Sequence, residues 1–267
     1  MNILLRTASV ADIPQIKTLQ PHNWGDIIPN VRFYLNSSYC YLIVAVQDGV
    51  ILGCGAAIQH QNCIWLAGII VGDAHRGLGL GTMITSHLFE YARLRSETII
   101  LIATDLGYPI YKRLGFQDDE VYTFFEERPR EQKTHSNIFS FDAGFTKDIL
   151  QLDYEATGEW REQLLIPRLP NAHIYLQDNQ LLGFCIPDFG EGLALAQTAE
   201  AGQALMAFKA SDRAIFALPK SNTNAISHAL FLGNQLISDR KAIKMYWGKQ
   251  LKWNPLWQYG RIGGNLG

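Results

Sequence analysis

Seven consecutive residues, Arg76-Gly77-Leu78-Gly79-Leu80-Gly81-Thr82, carry the clearest chemistry in this chain. Glycine at alternate positions removes the Cβ atoms that would shield successive backbone N–H groups, so several amides can point into one space. A helix starting there adds its positive N-terminal end, and Arg76 adds a full charge at the rim. Amides, dipole and guanidinium together suit a phosphate or pyrophosphate. The spacing excludes two familiar loops: no Lys follows the glycines as a P-loop requires, and Gly-x-Gly-x-Gly is not the Gly-x-Gly-x-x-Gly of dinucleotide folds.

The neighbouring segments must hold this loop in place. Cys63 to Val71 is wholly apolar and reads as a buried strand, and the residues after Thr82 read as a helix with Met83, Ile84, Leu88, Tyr91 and Ala92 toward the core. A second buried strand is expected over Ile99 to Ala103. In the stretch from Thr104 to Phe116, Pro109 suits the first turn of a short helix, Gly115 its stop, and Phe116 a return to the core. Upstream, Leu4-Leu5-Arg6 reads as a strand. Thr7 or Ser9 can cap a helix bearing Ile13, Ile16 and Leu19, a second helix lies around Asn30 to Leu35, and Gln47-Asp48-Gly49 joins two strands as a hairpin. Tyr122 to Glu126 closes the first half.

The order Arg-x-x-Gly-x-Gly after a strand ending in Val71 resembles the coenzyme A pyrophosphate loop of the GNAT superfamily of N-acyltransferases. Tyr111-x-x-Leu114-Gly115-Phe116 resembles that superfamily's second signature, in the right order and at a suitable distance. The resemblance implies an α/β fold (α+β, mixed sheet), with acetyl-coenzyme A as co-substrate and no metal. It places Ile69, Ile70 and Val71 along the pantetheine arm, Arg76, Gly77, Leu78, Gly79, Leu80, Gly81 and Thr82 around the pyrophosphate, and Tyr111 as general acid to the departing thiolate. Thr104 stands where many relatives have an Asn contacting the pantetheine, and Asp73 replaces a frequent proline.

The segment from Glu126 to His135 is charged, contains Pro129 and has no apolar period, so it reads as a linker. Beyond it the pattern repeats. Ile174 to Gly183 parallels Val44 to Gly53, down to the Gln-Asp turn, and a strand from Ala214 to Pro219 with a helix from Asn224 to Gly233 parallels Thr104 to Gly115. This half resembles the C-terminal domain of the two-domain bacterial YitH-type GNAT subgroup, in Asp153-Tyr154-Glu155, Leu218-Pro219 followed by Asn224, and the Gly260 to Gly267 ending. The expectation is two tandem GNAT-like folds: a catalytic domain over 1–130 and a degenerate one over 131–267. Thr198-Ala199-Glu200-Ala201-Gly202-Gln203-Ala204 replaces the cradle there, and Ala229 stands in the position of Tyr111.

With 267 residues, 48% hydrophobic, 18% charged and a net charge of -2, the chain has no global electrostatic reason to bind nucleic acid or an anionic membrane. Neither a signal peptide nor a membrane-spanning run is read from it, so a cytoplasmic protein is expected. Cys40, Cys54, Cys63 and Cys185 sit singly among apolar neighbours and read as buried free thiols. The basic stretch from Arg240 to Lys252 reads as a half-buried strand with a solvated edge in preference to an RNA surface.

The resemblance implies an amine as acceptor, on a small molecule or a peptide. Trp24, Asp26 and Trp65 are the candidates for its site, and Asp26, His22 or His60 for a base acting through water. An acyl-coenzyme A sensor without catalysis is the competing class, although a retained Tyr111 would be superfluous in it. The oligomeric state is open, a homodimer being one option.

Overall fold

The computed structural model describes residues 3–22, 24–129, 134–209 and 215–266. They form two compact units: Met1–Asp118, Met245–Gln250 and Gly264–Gly267 in the first, Asp119–Lys244 and Leu251–Gly263 in the second. A single boundary at 130/131 was the sequence expectation. The units instead change first at 118/119 and again at 244/245, both inside strands, and later segments return to the first unit. Those two strands are 10 and 14 residues long, well beyond the usual five or six, so each can contribute to both units in turn.

The first unit contains β1 (Leu4–Thr7), α1 (Ile13–Lys17), α2 (Ile28–Asn36), β2 (Cys40–Gln47), β3 (Val50–Gln59), β4 (Ile64–Val71), α3 (Leu80–Arg93), β5 (Thr98–Ala103), α4 (Tyr108–Arg113) and the start of β6 (Gln117–Glu126). Strands β1 to β4 pair antiparallel in sequence order, and β4 meets β5 in parallel. Asp48 and Gly49 have φ of 50° and 80°, the paired positive values of a tight hairpin turn. Ser9, not Thr7, makes the cap, in a reciprocal box with Asp12, whose carboxylate also takes two hydrogen bonds from Arg6 at 2.7 and 2.8 Å. The helix expected there is only five residues long. Ile16 and Leu19 are nonetheless buried.

Helix α3 lies across β3, where Gly53 and Gly55 leave no room for a Cβ: one at either position would stand 2.8 Å from Ile84. Ile84, Leu88 and Ala92 are fully buried, as their four-residue spacing requires. Met83, expected in the core, is 38% exposed because it sits 100° off that stripe; Tyr91 is half-buried, stacked on Tyr41 at 4.4 Å. Residues 245–250 return to this unit, with Trp247 edge-on to Phe89 at 5.1 Å and the Lys249 amide donating to the Glu97 carbonyl.

The second unit contains β7 (Ile138–Ser140), α5 (Thr146–Thr157), α6 (Glu162–Leu165), β8 (His173–Gln177), β9 (Gln180–Ile186), β10 (Leu193–Ala196), α7 (Ala199–Phe208), β11 (Ile215–Pro219), α8 (Thr223–Phe231), β12 (Gln235–Gly248) and β13 (Gln258–Gly260). From β7 to β12 this repeats the order from β1 to β6. The β8/β9 turn again has two positive φ values, at Asp178 and Asn179. Its antiparallel sheet runs β13-β10-β9-β8-β7, and β11 pairs with the later part of β6. Asn23, Ala214, Gly267 and residues 130–133 of the expected linker lie outside the described residues.

One expectation about β12 fails. Lys244 is not a solvated edge charge: it is 4% exposed, lies 3.8 Å from Glu159 and 3.9 Å from Asp119, and stands over the Trp253 ring. A lysine so enclosed is unavailable to RNA.

Candidate active site

Two strands that begin as a parallel pair and then part create the opening in the first unit. Among the described residues, β4 and β5 are in register at Ile64 with Ile99 and Trp65 with Ile100, and from Leu66 onward β4 has no strand partner on that side. At Gly68 the strand also bulges, because two residues, Gly68 and Ile69, stand opposite the single Gly55 of β3. Gly68 has φ of 58°, and the Tyr34 ring lies 3.3 Å from where its Cβ would be. Glycine inside an apolar strand is the sequence signal for such a bulge. Ile69, Ile70 and Val71 follow directly; Ile70 and Val71 pair with β3, and on the wedge side the three have no strand partner among the described residues.

The glycine loop stands at the wide end of this wedge. Gly77 and Gly79 adopt φ of 78° and 79°, values that disfavour any other residue, and a Cβ on either would project into open space. Gly79 caps α3 without a side-chain hydrogen bond, and no acceptor for the amides of Gly77 to Thr82 occurs among the described residues. Leu80 is buried and Leu78 is exposed, and a Cβ on Gly81 would lie 3.5 Å from Ile110 and 3.9 Å from Val71, so α4 stands close to the first turn of α3. The unclaimed amides and the space before them fit a pyrophosphate. Arg76 is at the rim but not idle: it pairs with Asp73 at 2.6 Å, so Asp73 does more than shape the turn.

Tyr111 is 8% exposed, edge-on to Phe116, with its ring and hydroxyl 2.6–3.0 Å from where a Cβ on Gly107 would sit. Its hydroxyl has no hydrogen-bond partner among the described residues. Burial pushes the phenol up to about 12. Thr104 is exposed at the end of β5, and its carbonyl accepts the amides of Gly107 and Tyr108.

The acceptor-side candidates do not converge. Trp65 is 4% exposed and belongs to the core, whereas Trp24 is half-buried. Asp26 accepts the Ile28 amide at 3.0 Å and so serves the start of α2. The His22 side chain is 97% exposed, and buried His60 stands beyond the start of β4, about 13 Å of strand or more from Gly68. Tyr34, which sequence patterning marks only as a helix residue, is the aromatic side chain that reaches the bulge.

The corresponding opening in the second unit is filled. β13 pairs along the edge of β10, Ala194 with Gly260 and Leu195 with Gln258, where β4 has a free edge in the first unit. At the head of α7, the Thr198 side chain accepts the Ala201 amide, and the Tyr259 ring lies 2.2–2.4 Å from where a Cβ on Gly202 would be. Cys54, Cys63 and Cys185 are buried free thiols, and Cys40 is half-buried. Among the described residues, no group of three or more His, Cys, Asp or Glu could hold a metal, and no helix is long and apolar enough to cross a membrane.

The Acetyltransferase (GNAT) family matches residues 10–116. No curated protein matches the chain. Among solved structures, an acetyltransferase candidate from Pyrococcus horikoshii is 19% identical with a TM-score of 0.83, over 99% of this chain and 96% of its own. A GCN5-related N-acetyltransferase from Sphaerobacter thermophilus is 15% identical with a TM-score of 0.64, over 95% and 98%. One from Anabaena variabilis is 12% identical with a TM-score of 0.58, over 92% and 72%. At these identities the likenesses establish the fold alone: a GNAT domain followed by a second domain. Through residues 10–116, the chain is similar to the GNAT family of acetyltransferases.

Proposed function

We propose that the first unit transfers an acetyl group from acetyl-coenzyme A to a primary amine by direct attack of the neutral amine, with Tyr111 as general acid. The observation that carries this reading is the continuity of wedge and cradle: an unpaired strand edge at Ile69 to Val71 leads to a loop of unclaimed amides. The strand edge would hold the pantetheine arm as an added strand, and the cradle would hold the pyrophosphate. Bound there, the thioester supplies the activated acyl group. Main-chain N–H groups beside the bulge stabilise negative charge developing on its carbonyl oxygen, and Tyr111 gives a proton to the sulfur. Thr104 borders the arm at the end of β5.

The second unit is, in this reading, a non-catalytic copy. β13 occupies the edge that a pantetheine would need, Thr198 satisfies an amide that would face phosphate, and Ala229 lacks a proton to give. The partner is a small-molecule or peptide amine, not a nucleic acid or membrane, met in the cytoplasm.

Release of free thiol from acetyl-coenzyme A on adding primary amines tests the reading. Amine-dependent release with N-acetylated product supports it; tight binding without release under any amine would make the protein a sensor. Asp73→Asn should tighten acetyl-coenzyme A binding about two- to fivefold at low salt by freeing Arg76, with the gain vanishing near ~0.5 M salt. Weaker binding by that variant would mean that Asp73 instead aims Arg76 at the phosphates.

A further inference from the structure

Gly68 and Ile102 stand on the two arms of the wedge, three and two residues beyond the last paired positions, Trp65 and Ile100. The chain's final described residues reach Ile102 directly and Gly68 through Tyr34. A Cβ on Gly264 would lie 2.9 Å from the Cβ of Ile102, so only glycine lets the backbone approach that arm so closely. Next to the other arm, the hydroxyl of Tyr34, an α2 residue whose ring lies beside Gly68, donates to the main-chain carbonyl of Asn265. Tyr34 is 3% exposed and Leu266 9%, so the segment is seated in the unit, and not draped over it. Asn265 between them is half-buried, and its side-chain amide makes no hydrogen bond among the described residues.

We propose that Gly264–Leu266 forms one wall of the acceptor chamber, with the Asn265 side chain facing the transferred acetyl group and the incoming amine. The proposal rests on the reading of the first unit as an acetyl-coenzyme A site. Tyr34 then acts as a positioning residue, since its hydroxyl fixes the Asn265 backbone and leaves the side chain to the substrate. A neutral carboxamide oxygen there accepts from an amine N–H without the charge by which a carboxylate would favour the unreactive ammonium form. That suits an acceptor nitrogen that must arrive uncharged.

Bromoacetyl-coenzyme A tests this without knowledge of the natural amine. In an Asn265→Cys variant, the thiolate displaces bromide from the carbon next to the carbonyl, forming a thioether and releasing bromide, and intact-mass spectrometry reads the adduct. Wild-type protein is the blank: burial pushes Cys40, Cys54 and Cys185 up to about 12, and Cys63 is 1% exposed. Gln151→Cys, on an exposed face of α5, reports bimolecular reactivity.

The expected result is saturable labelling of Asn265→Cys at least about 50-fold faster than Gln151→Cys, and blocked by coenzyme A. Adding Tyr34→Phe should slow it severalfold by releasing the backbone. Calorimetry with coenzyme A on the same proteins separates the failures. If Asn265→Cys binds coenzyme A but is labelled no faster than Gln151→Cys, the wall assignment is wrong and the cofactor reading stands. If even the wild type does not bind, the cofactor reading falls and the wall with it.

Discussion

Replacing Gly79 with Glu should abolish acetyl-coenzyme A binding while leaving the protein folded. The position has φ of 79°, so any side chain costs about 1–2 kcal/mol of backbone strain. A Cβ there meets nothing within 4 Å, so the carboxylate extends into the space before the helix end without a clash. There it accepts the amides of the first turn and returns about 0.3–1 kcal/mol through the dipole, so a thermal midpoint should fall by only a few degrees. The consequence for a ligand is far larger. The carboxylate claims the amides a pyrophosphate would use, and at ~4 Å in a partly shielded site two like charges repel by about 4 kcal/mol. A loss of affinity above roughly a hundredfold follows, readable by calorimetry. Retained affinity would mean that the phosphates bind elsewhere.

The second large effect is on turnover. Tyr111→Phe keeps the ring against Phe116 and removes a hydroxyl that has no protein partner among the described residues, so stability should hardly change. General acids contribute about 10²–10⁴ to rate, and the pKa decides where in that range this one falls. At about 12 the phenol is fully protonated at neutral pH but lies some ~3.5 units above an ordinary thiol, so complete transfer to a free thiolate is uphill. The low end, about a hundredfold loss in kcat with little change in the acetyl-coenzyme A dissociation constant, is therefore expected. The sign of the pH effect is also fixed. A group that must be protonated loses activity as pH rises through its pKa, so Tyr111 should give the wild type no alkaline limb before about 12. A limb near pH 9 that vanishes in Tyr111→Phe would contradict the buried phenol found here.

Much of this was legible from local chemistry. Three alternate glycines before a helix, the Asp-Gly hairpin, and Pro109 with Gly115 around a short helix are determined by a few neighbouring residues, and each occurs as expected. The repeat in the second half was readable for the same reason, since its turn and helix stops reuse the same residue types. What patterning missed depends on residues far apart in the chain. Nothing near Met245 indicates that it joins residues 1–118 in one unit, or that Lys244 beside it meets Asp119 and Glu159. The pairing of β13 with β10, which closes the second wedge, joins residues more than sixty positions apart. The contact of Tyr34 with Asn265 spans 231. Met83, expected in the core, is partly exposed, because an apolar side chain alone does not say which face of its element meets water.

The most direct test of the central claim is the stoichiometry of acetyl-coenzyme A binding to the wild-type chain, by calorimetry. One equivalent per chain, removed by Gly79→Glu, is the predicted result, since among the described residues only the first unit has a free strand edge leading to unclaimed amides. No binding, or two equivalents with one surviving in Gly79→Glu, would contradict the account.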